Sequence, residues 1–360
     1  MSAPSGSPDG DPVLQRRDVR VVRTRSVSLQ LRVRTTIVCV LLAVATLGVL
    51  LWSVMVGDFP LTAGQVIEAI FTEGSSDAEF IVQTLRLPRA ITAILVGAAL
   101  GMSGAVFQSI TRNPLGSPDI VGFQQGAAVG AVLMIVNGEP TTSGIAVGAV
   151  AGGLITALLV YVLSYHRGSV SAARLVLVGI GIGFAAAAIT DFLITRAEIY
   201  DVQRAAVWLT GSLNGRSWDH VRTSGIALLF LAPIVIIGQR SLDRLELGDD
   251  TASAIGVPVS RAKLTLVLAA VALAALAVAA AGPIAFVAFV AGPVARRLCH
   301  SPGAAVVPAA FVGAALTAAA DLAARRLLAP TELPVGILTA VIGGPYLLWL
   351  LVGRARKGAL

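Results

Sequence analysis

The sequence has little charge and few of the residues that enzymes use for chemistry. Charged residues make up only 13% of the 360 residues, and the chain has three histidines and two cysteines. Cys39 and Cys299 belong to no CxxC or Cys/His cluster, so the sequence predicts neither a disulfide framework nor a zinc site. It also contains no HExxH motif, no Ser/His/Asp arrangement and no pair of catalytic carboxylates. We therefore expect no catalytic residue, no metal site and no enzymatic activity.

Lysine is almost missing as well. Lys263 and Lys357 are the two lysines of the chain, and neither follows a G-x-x-x-x-G pattern. A Walker A loop needs that lysine to reach the phosphates of a nucleotide. The chain cannot form such a loop itself, so we expect it to bind no cofactor, and any ATP chemistry must come from a partner.

Apolar residues, in contrast, are abundant. They make up 56% of the chain, and the mean hydropathy of +0.84 is far above that of a soluble protein. A helix needs about 20 mostly apolar residues to cross a bilayer, and such runs recur along the sequence. We predict an all-α polytopic membrane protein. Its ten spans are expected near residues 36–56, 90–110, 119–136, 143–164, 174–194, 221–239, 263–281, 283–299, 304–322 and 334–352.

The formal net charge of +7 is better explained by membrane topology than by nucleic-acid binding. Basic residues lie in the loops between apolar runs, and cytoplasmic loops of membrane proteins carry an excess of them. Ten spans place both termini on one side, and the Arg-rich N-terminal segment makes that side the cytoplasm. We predict a disordered basic tail over residues 1–34, one transmembrane domain over 35–353 and a cytoplasmic tail over 354–360.

Three loops are too long to be simple turns. Segments 57–88 and 195–220, on the predicted outer side, are each long enough for a short re-entrant or interfacial helix. Loop 241–262, on the cytoplasmic side, contains Gly248 and Gly256, which are typical of helix boundaries. Asp249 or Asp250 can cap a helix between these glycines.

Two carboxylates fall inside predicted spans, Asp191 and Asp321. A buried carboxylate in a membrane is costly and is often functional, so an ion-coupled carrier that works alone would use these residues. Both lie near the outer ends of their spans, which favours a water-facing or arginine-paired structural role. The ion-coupled carrier remains the alternative class.

Residues 85–131, LRLPRAITAILVGAALGMSGAVFQSITRNPLGSPDIVGFQQGAAVGA, closely resemble the FecCD family, the permeases of bacterial type II ABC importers for iron-siderophores and cobalamin. Segments 245–263, 281–298 and 320–351 agree with the family in the same order. The RNPL-x-x-P and ELPVG blocks are specific to it. The resemblance implies the ten-helix permease fold of a type II importer.

The resemblance also implies three sets of site residues, each with a plainer alternative. Arg86, Arg89 and Arg325 would receive acidic residues of a substrate-binding protein, since the guanidinium fork pairs well with carboxylates; otherwise they anchor lipid headgroups. A coupling helix in loop 245–257 would seat in a groove of an ATPase; otherwise it is an ordinary capped helix. Its expected contact residues are Leu247, Gly248, Thr251, Ala252, Ser253, Ile255 and Gly256.

The third set would line the translocation pathway, along the fifth span, the tenth span and a short helix at about 202–212. These residues are mostly small or permit a bend, although packing alone can explain each of them. They are Gly179, Gly183, Trp208, Pro334, Gly336, Thr339 and Gly343.

The resemblance implies a permease subunit without covalent chemistry of its own. It would pair with a second permease, either a copy of itself or a paralogue, and take a ferric siderophore of enterobactin-like or hydroxamate type from a substrate-binding protein. Two cytoplasmic ATPase subunits, which bind ATP and magnesium, would drive it. No pathway residue is diagnostic of the cargo, so cobalamin and haem remain open. Residues 291–294 read AGPV where many relatives have APH or APQ, which puts one ATPase contact in doubt.

Overall fold

The computed structural model describes residues 19–23, 28–57, 59–71, 77–119, 121–137, 141–166 and 169–355. Nearly all of this chain is helical. In chain order, the helices are α1 (Val33–Met55), α2 (Ala63–Phe71), α3 (Asp77–Glu79), a π-helical segment (Phe80–Arg86), α4 (Leu87–Thr111), α5 (Phe123–Asn137), α6 (Thr142–Ser164), α7 (Ala172–Arg196), α8 (Ile199–Leu209), α9 (Trp218–Leu245), α10 (Asp249–Ala254), α11 (Val259–Ala281), α12 (Val287–Cys299), α13 (Val306–Arg326) and α14 (Val335–Ala355).

A helix lies at each of the ten predicted spans, which confirms the all-α polytopic fold. Within the described residues, seven helical stretches are long and apolar enough to cross a membrane. Helices α5 and α12 are shorter, with 15 and 13 residues. At 1.5 Å per residue they span about 20 Å, less than the roughly 30 Å of a bilayer core.

The outside of the bundle is apolar. The side chains of Leu177, Phe184, Leu229, Phe230 and Ile237 belong to residues that are each at least 68% exposed. A contiguous apolar surface of this kind is costly in water and is covered by lipid in a membrane protein.

Helix α4 forms the centre of the bundle and packs against α9, α11, α12 and α13. Almost all of its residues are buried. Small residues permit this close approach: a Cβ atom at Gly104 would lie 1.8 Å from the Ala288 carbonyl oxygen, and one at Gly97 would lie 2.3 Å from the Gly313 carbonyl oxygen. Helices in lipid associate through such small-residue contacts because no hydrophobic force drives them together.

The structure differs from the expected disorder at the N-terminus. Strand β1 (Val19–Arg23) pairs antiparallel with strand β2 (Ser28–Arg32), directly before α1. The valine-rich segment favours a strand, because β-branched residues fit the extended backbone. The rest of the predicted tail, residues 1–18 and 24–27, lies outside the described residues. At the C-terminus α14 continues to Ala355, so only residues 356–360 of the predicted tail lie outside them.

Both long outer loops contain the short helices that were expected. Segment 57–88 holds α2, α3 and the π-helical segment, and segment 195–220 holds α8. Strands β3 (Tyr165–His166) and β4 (Ser169–Val170) form a small hairpin between α6 and α7. Helix α9 connects the end of the bundle that holds α8 to the end that holds α10, and these are called the α8 end and the α10 end below.

Candidate functional site

Four charged residues at the α8 end form what we call the arginine cluster: Arg89, Arg325, Asp321 and Glu332. Arg89, only 8% exposed, places its Nη2 atom 3.0 Å from Oδ1 of Asp321 and its Nη1 atom 2.8 Å from Oε2 of Glu332. The Nε atom of Arg325 lies 3.4 Å from Oδ2 of Asp321, one helical turn away. The structure therefore confirms the arginine-paired role for Asp321.

This pairing follows from the cost of a buried charge. Asp321 lies in α13 and is 1% exposed, so its carboxylate needs cations and hydrogen-bond donors within reach. The two arginines that meet this need come from different helices. Asp191, the other candidate for ion coupling, is exposed on α7 and forms no ion pair within the described residues.

The predicted docking arginines are engaged within the chain. Arg325 donates a hydrogen bond to the Ser53 hydroxyl in addition to its ion pair. Arg86 donates to the Val54 carbonyl at 2.8 Å and to the Phe59 carbonyl at 2.7 Å, and so ties the π-helical segment to the end of α1. Their role in docking stays a prediction, but a partner's carboxylate would have to compete with these contacts. Arg326, which is exposed at the end of α13, is not among the predicted docking residues.

A cavity of about 790 Å³ opens beside the arginine cluster. It is lined by Tyr200, Arg204 and Trp208 of α8 and by the segment 332–334 before α14. Residues of the loop 212–216 also line it, and Arg216 is fixed there by hydrogen bonds from Nε and Nη2 to the Ser212 carbonyl at 3.2 and 3.0 Å. Burial and the nearby charge of Arg89 lower the pKa of Arg216.

Of the seven residues predicted for the pathway, Trp208 and Pro334 line this cavity. The other five lie at contacts between elements. The backbone of Gly179 and Gly183 packs against residues 121–122. Gly336 packs against the Thr210 carbonyl, and Gly343 packs against the Phe286 ring. The Thr339 hydroxyl donates a hydrogen bond to the Gly336 carbonyl. The pathway role of these five stays a prediction, since in this conformation close packing accounts for them.

The predicted loop helix at the opposite end is α10. Gly248 with φ 111° precedes it and Gly256 with φ 84° follows it, and both conformations favour glycine. The helix presents Leu247 and Ile255, which are 64% and 51% exposed, together with Thr251 and Ser253. These residues are free to contact another protein.

Ala252 is a correction to the predicted contact set. It is fully buried and packs with Leu245 and Val257, inside the chain's own core. In a helix of 3.6 residues per turn, Ala252 faces away from the exposed Thr251 and Ser253. It therefore anchors α10 and does not contact a partner.

Asp249, at the start of α10, holds the loop helix to the bundle through an ion-pair group that we call the Asp249 cluster. Its Oδ1 atom lies 2.5 Å from Nη2 of Arg112, after α4, and its Oδ2 atom lies 2.5 Å from Nζ of Lys263, in α11. Lys263 is 3% exposed and also donates to the Val170 carbonyl at 3.1 Å. Arg112 donates in turn to the Leu245 carbonyl at 3.1 Å.

Asp249 was predicted only as a possible helix cap, whereas the N-cap position belongs to Gly248. A signal for the ion pair was present, since Lys263 begins an apolar span and a buried ammonium needs an acidic partner. The sequence alone does not identify which acidic residue pairs with Lys263, because Asp249, Asp250 and Glu246 all lie nearby in sequence.

The AGPV segment has a local explanation. A Cβ atom at Gly292 would lie 2.2 Å from Oε1 of Gln108, so glycine leaves room for the Gln108 amide. This amide donates to the Phe289 carbonyl at 2.9 Å and accepts from Nη2 of Arg296 at 3.0 Å. The glycine at position 292, in the segment that differs from many relatives, therefore leaves room for the hydrogen bond between Gln108 and Arg296.

No group of three or more His, Cys, Asp or Glu side chains within the described residues is placed to hold a metal ion. The geometry supplies a cavity beside the arginine cluster at one end and an exposed short helix, held by the Asp249 cluster, at the other. This arrangement suits passage of a molecule through the bundle.

Comparison with known proteins agrees with the geometry. The model of the FecCD transport family matches residues 36–353. The ferric enterobactin transport system permease protein FepG of Escherichia coli (strain K12) is 41% identical over 327 residues, which cover 90% of this chain and 98% of that protein. The Fe(3+)-citrate import system permease protein YfmE of Bacillus subtilis (strain 168) is 40% identical over 281 residues, covering 78% and 84%.

Among solved structures, a metal-chelate type ABC transporter in an inward-facing conformation is similar with a TM-score of 0.77 and 27% identity, covering 89% of this chain and 99% of that one. The match of the family model begins in the first turn of α1 and ends in the last turn of α14. The chain therefore belongs to the FecCD transport family.

Proposed function

We propose that the chain is the permease subunit of an ATP-driven importer that moves a ferric siderophore across the cytoplasmic membrane. The observation that carries the proposal is the family match over residues 36–353. The relatives named above are permeases for ferric enterobactin and for Fe(3+)-citrate, both of them iron chelates.

The structure supports the proposal through the placement of its two candidate sites. The cavity at the α8 end is large enough for a small organic chelate. The exposed residues of α10 lie at the opposite end, where the topology predicts the cytoplasm. A partner that pushes on α10 can therefore act on the cavity only through the bundle, which is what an externally powered transporter requires.

The partners follow from this assignment. A second permease, identical or paralogous, completes the pathway, and two ATPase subunits bind ATP and magnesium and contact α10. A substrate-binding protein delivers the chelate at the α8 end. Both termini lie in the cytoplasm. The chain itself provides helices, a cavity and ion pairs, and catalyses no reaction.

Reconstitution into liposomes tests the proposal. The purified permease, with its ATPase subunits and binding protein, is expected to accumulate iron-labelled siderophore only when ATP is supplied on the α10 side. Uptake that persists without the ATPase and stops when the ion gradient is removed would instead identify an ion-coupled carrier. Accumulation of cobalamin or haem, without any ferric siderophore, would reassign the cargo.

A further inference from the structure

The charges around the cavity are not balanced. Arg204 and Arg216 line it, and Glu332 is the one acidic residue that lines it within the described chain. Glu332 is already paired, because its Oε2 atom lies 2.8 Å from Nη1 of the buried Arg89. The positive charge of the two cavity arginines is therefore left without an equivalent negative charge.

The two arginines differ in how they are held. Arg216 is fixed by its two hydrogen bonds to the Ser212 carbonyl and by a contact of Nη1 with the His220 ring at 3.2 Å. Arg204 is exposed and forms no salt bridge within the described residues. The cavity thus has one rigid cation in its lining, Arg216, and one cation that can adjust to a ligand, Arg204.

Aromatic rings accompany the adjustable cation. Tyr200, Arg204 and Trp208 follow one another at intervals of four residues on α8, so they lie on one face of the helix. All three line the cavity. A planar, electron-rich ligand can stack on these rings while its negative charge meets the guanidinium group.

We propose that this cavity binds anionic iron chelates with aromatic donor groups, the chemical class of the tris-catecholates, and that Arg204 determines the preference for them over uncharged chelates. The inference rests on the proposed function and narrows its substrate class. A neutral hydroxamate chelate has neither the charge to meet Arg204 nor the rings to stack on Tyr200 and Trp208.

Competition between the two chelate classes tests this assignment. In reconstituted liposomes, Arg204→Gln is expected to raise the half-saturating concentration of a ferric tris-catecholate about tenfold, the size of effect typical for a lost charge-assisted hydrogen bond. The same variant should change uptake of a neutral ferric trihydroxamate less than twofold. Arg204→Lys should keep most of the preference, because it retains the charge.

Arg222→Gln serves as the matched control, since Arg222 lies on α9, has a 76% exposed side chain and does not line the cavity. It should leave both half-saturating concentrations unchanged. Quenching of tryptophan fluorescence by the ferric tris-catecholate in detergent gives a second readout that needs neither ATP nor a partner, because Trp208 lines the site.

The outcomes separate this inference from the proposed function. If the wild-type complex transports no ferric chelate of either class, the proposed function fails. If it transports chelates but Arg204→Gln affects both classes equally, Arg204 has a structural or lipid-phosphate role and the inference is wrong. The same conclusion follows if Arg204→Gln leaves both the transport preference and the fluorescence quenching unchanged.

Discussion

The Asp249 cluster leads to a prediction about energy coupling. In Asp249→Asn the amide is nearly isosteric, but Lys263 and Arg112 lose the negative charge between them. Removing one member of a fully buried ion pair costs about 3–5 kcal/mol. The Asp249 side chain is 32% exposed, so solvent screens part of this loss, and we expect about 2 kcal/mol.

A loss of about 2 kcal/mol lowers the equilibrium ratio of held to detached α10 about thirtyfold. Lys263 keeps its hydrogen bond to the Val170 carbonyl and Arg112 keeps its bond to the Leu245 carbonyl, so the fold should persist. The amides of α10 should exchange with deuterium about thirtyfold faster. More ATP should be hydrolysed for each chelate transported, because motion of α10 no longer passes fully to α4 and α11.

Two measurements check this prediction, hydrogen exchange of residues 247–257 and the ratio of ATP hydrolysed to iron taken up in liposomes. Asp250→Asn is the control, because Asp250 is the next residue, is exposed and forms no ion pair within the described chain. Asp249→Glu should restore part of the coupling. Unchanged exchange and an unchanged ratio in Asp249→Asn would refute the reasoning.

Two further predictions concern stability. Gly104→Val should abolish folding or cost more than about 3 kcal/mol by overpacking, whereas Gly48→Ala, with no atom within 4 Å of its added Cβ, should be tolerated in the same folding-yield assay. Asp321→Asn should cost about 3–5 kcal/mol in thermal unfolding, because Arg325 loses its ion pair and Arg89 keeps Glu332 alone, while uptake remains dependent on ATP; a switch to dependence on an ion gradient would contradict the structural role.

Much of the fold could be predicted because its causes are local in sequence. Apolar runs of span length indicate helices wherever they occur, and a helix lies at each of them. The bounds of α10 were also predictable, because Gly248 and Gly256 adopt backbone conformations that few other residues tolerate.

The sites could be predicted only in part, because their contacts join distant residues. Arg89 and Asp321 are 232 positions apart, and nothing local in the sequence pairs them. Likewise, a sequence pattern cannot distinguish a glycine that lines a pathway from one that admits a neighbouring backbone, as Gly179 does. The prediction that Ala252 contacts a partner was wrong for a related reason. Its burial depends on how α10 packs against Leu245 and Val257.

Helix α4 has a consequence for how the ends of the molecule communicate. Arg89 stands near its first residue, bonded to the acid that borders the cavity, and Arg112 directly follows its last, bonded to Asp249. A straight helix of 25 residues is about 37 Å long and changes its length very little. The ion pairs at the two ends of α4 are thus joined by one rigid helix. A tilt of this helix at either end must displace its other end, and no loop lies between them.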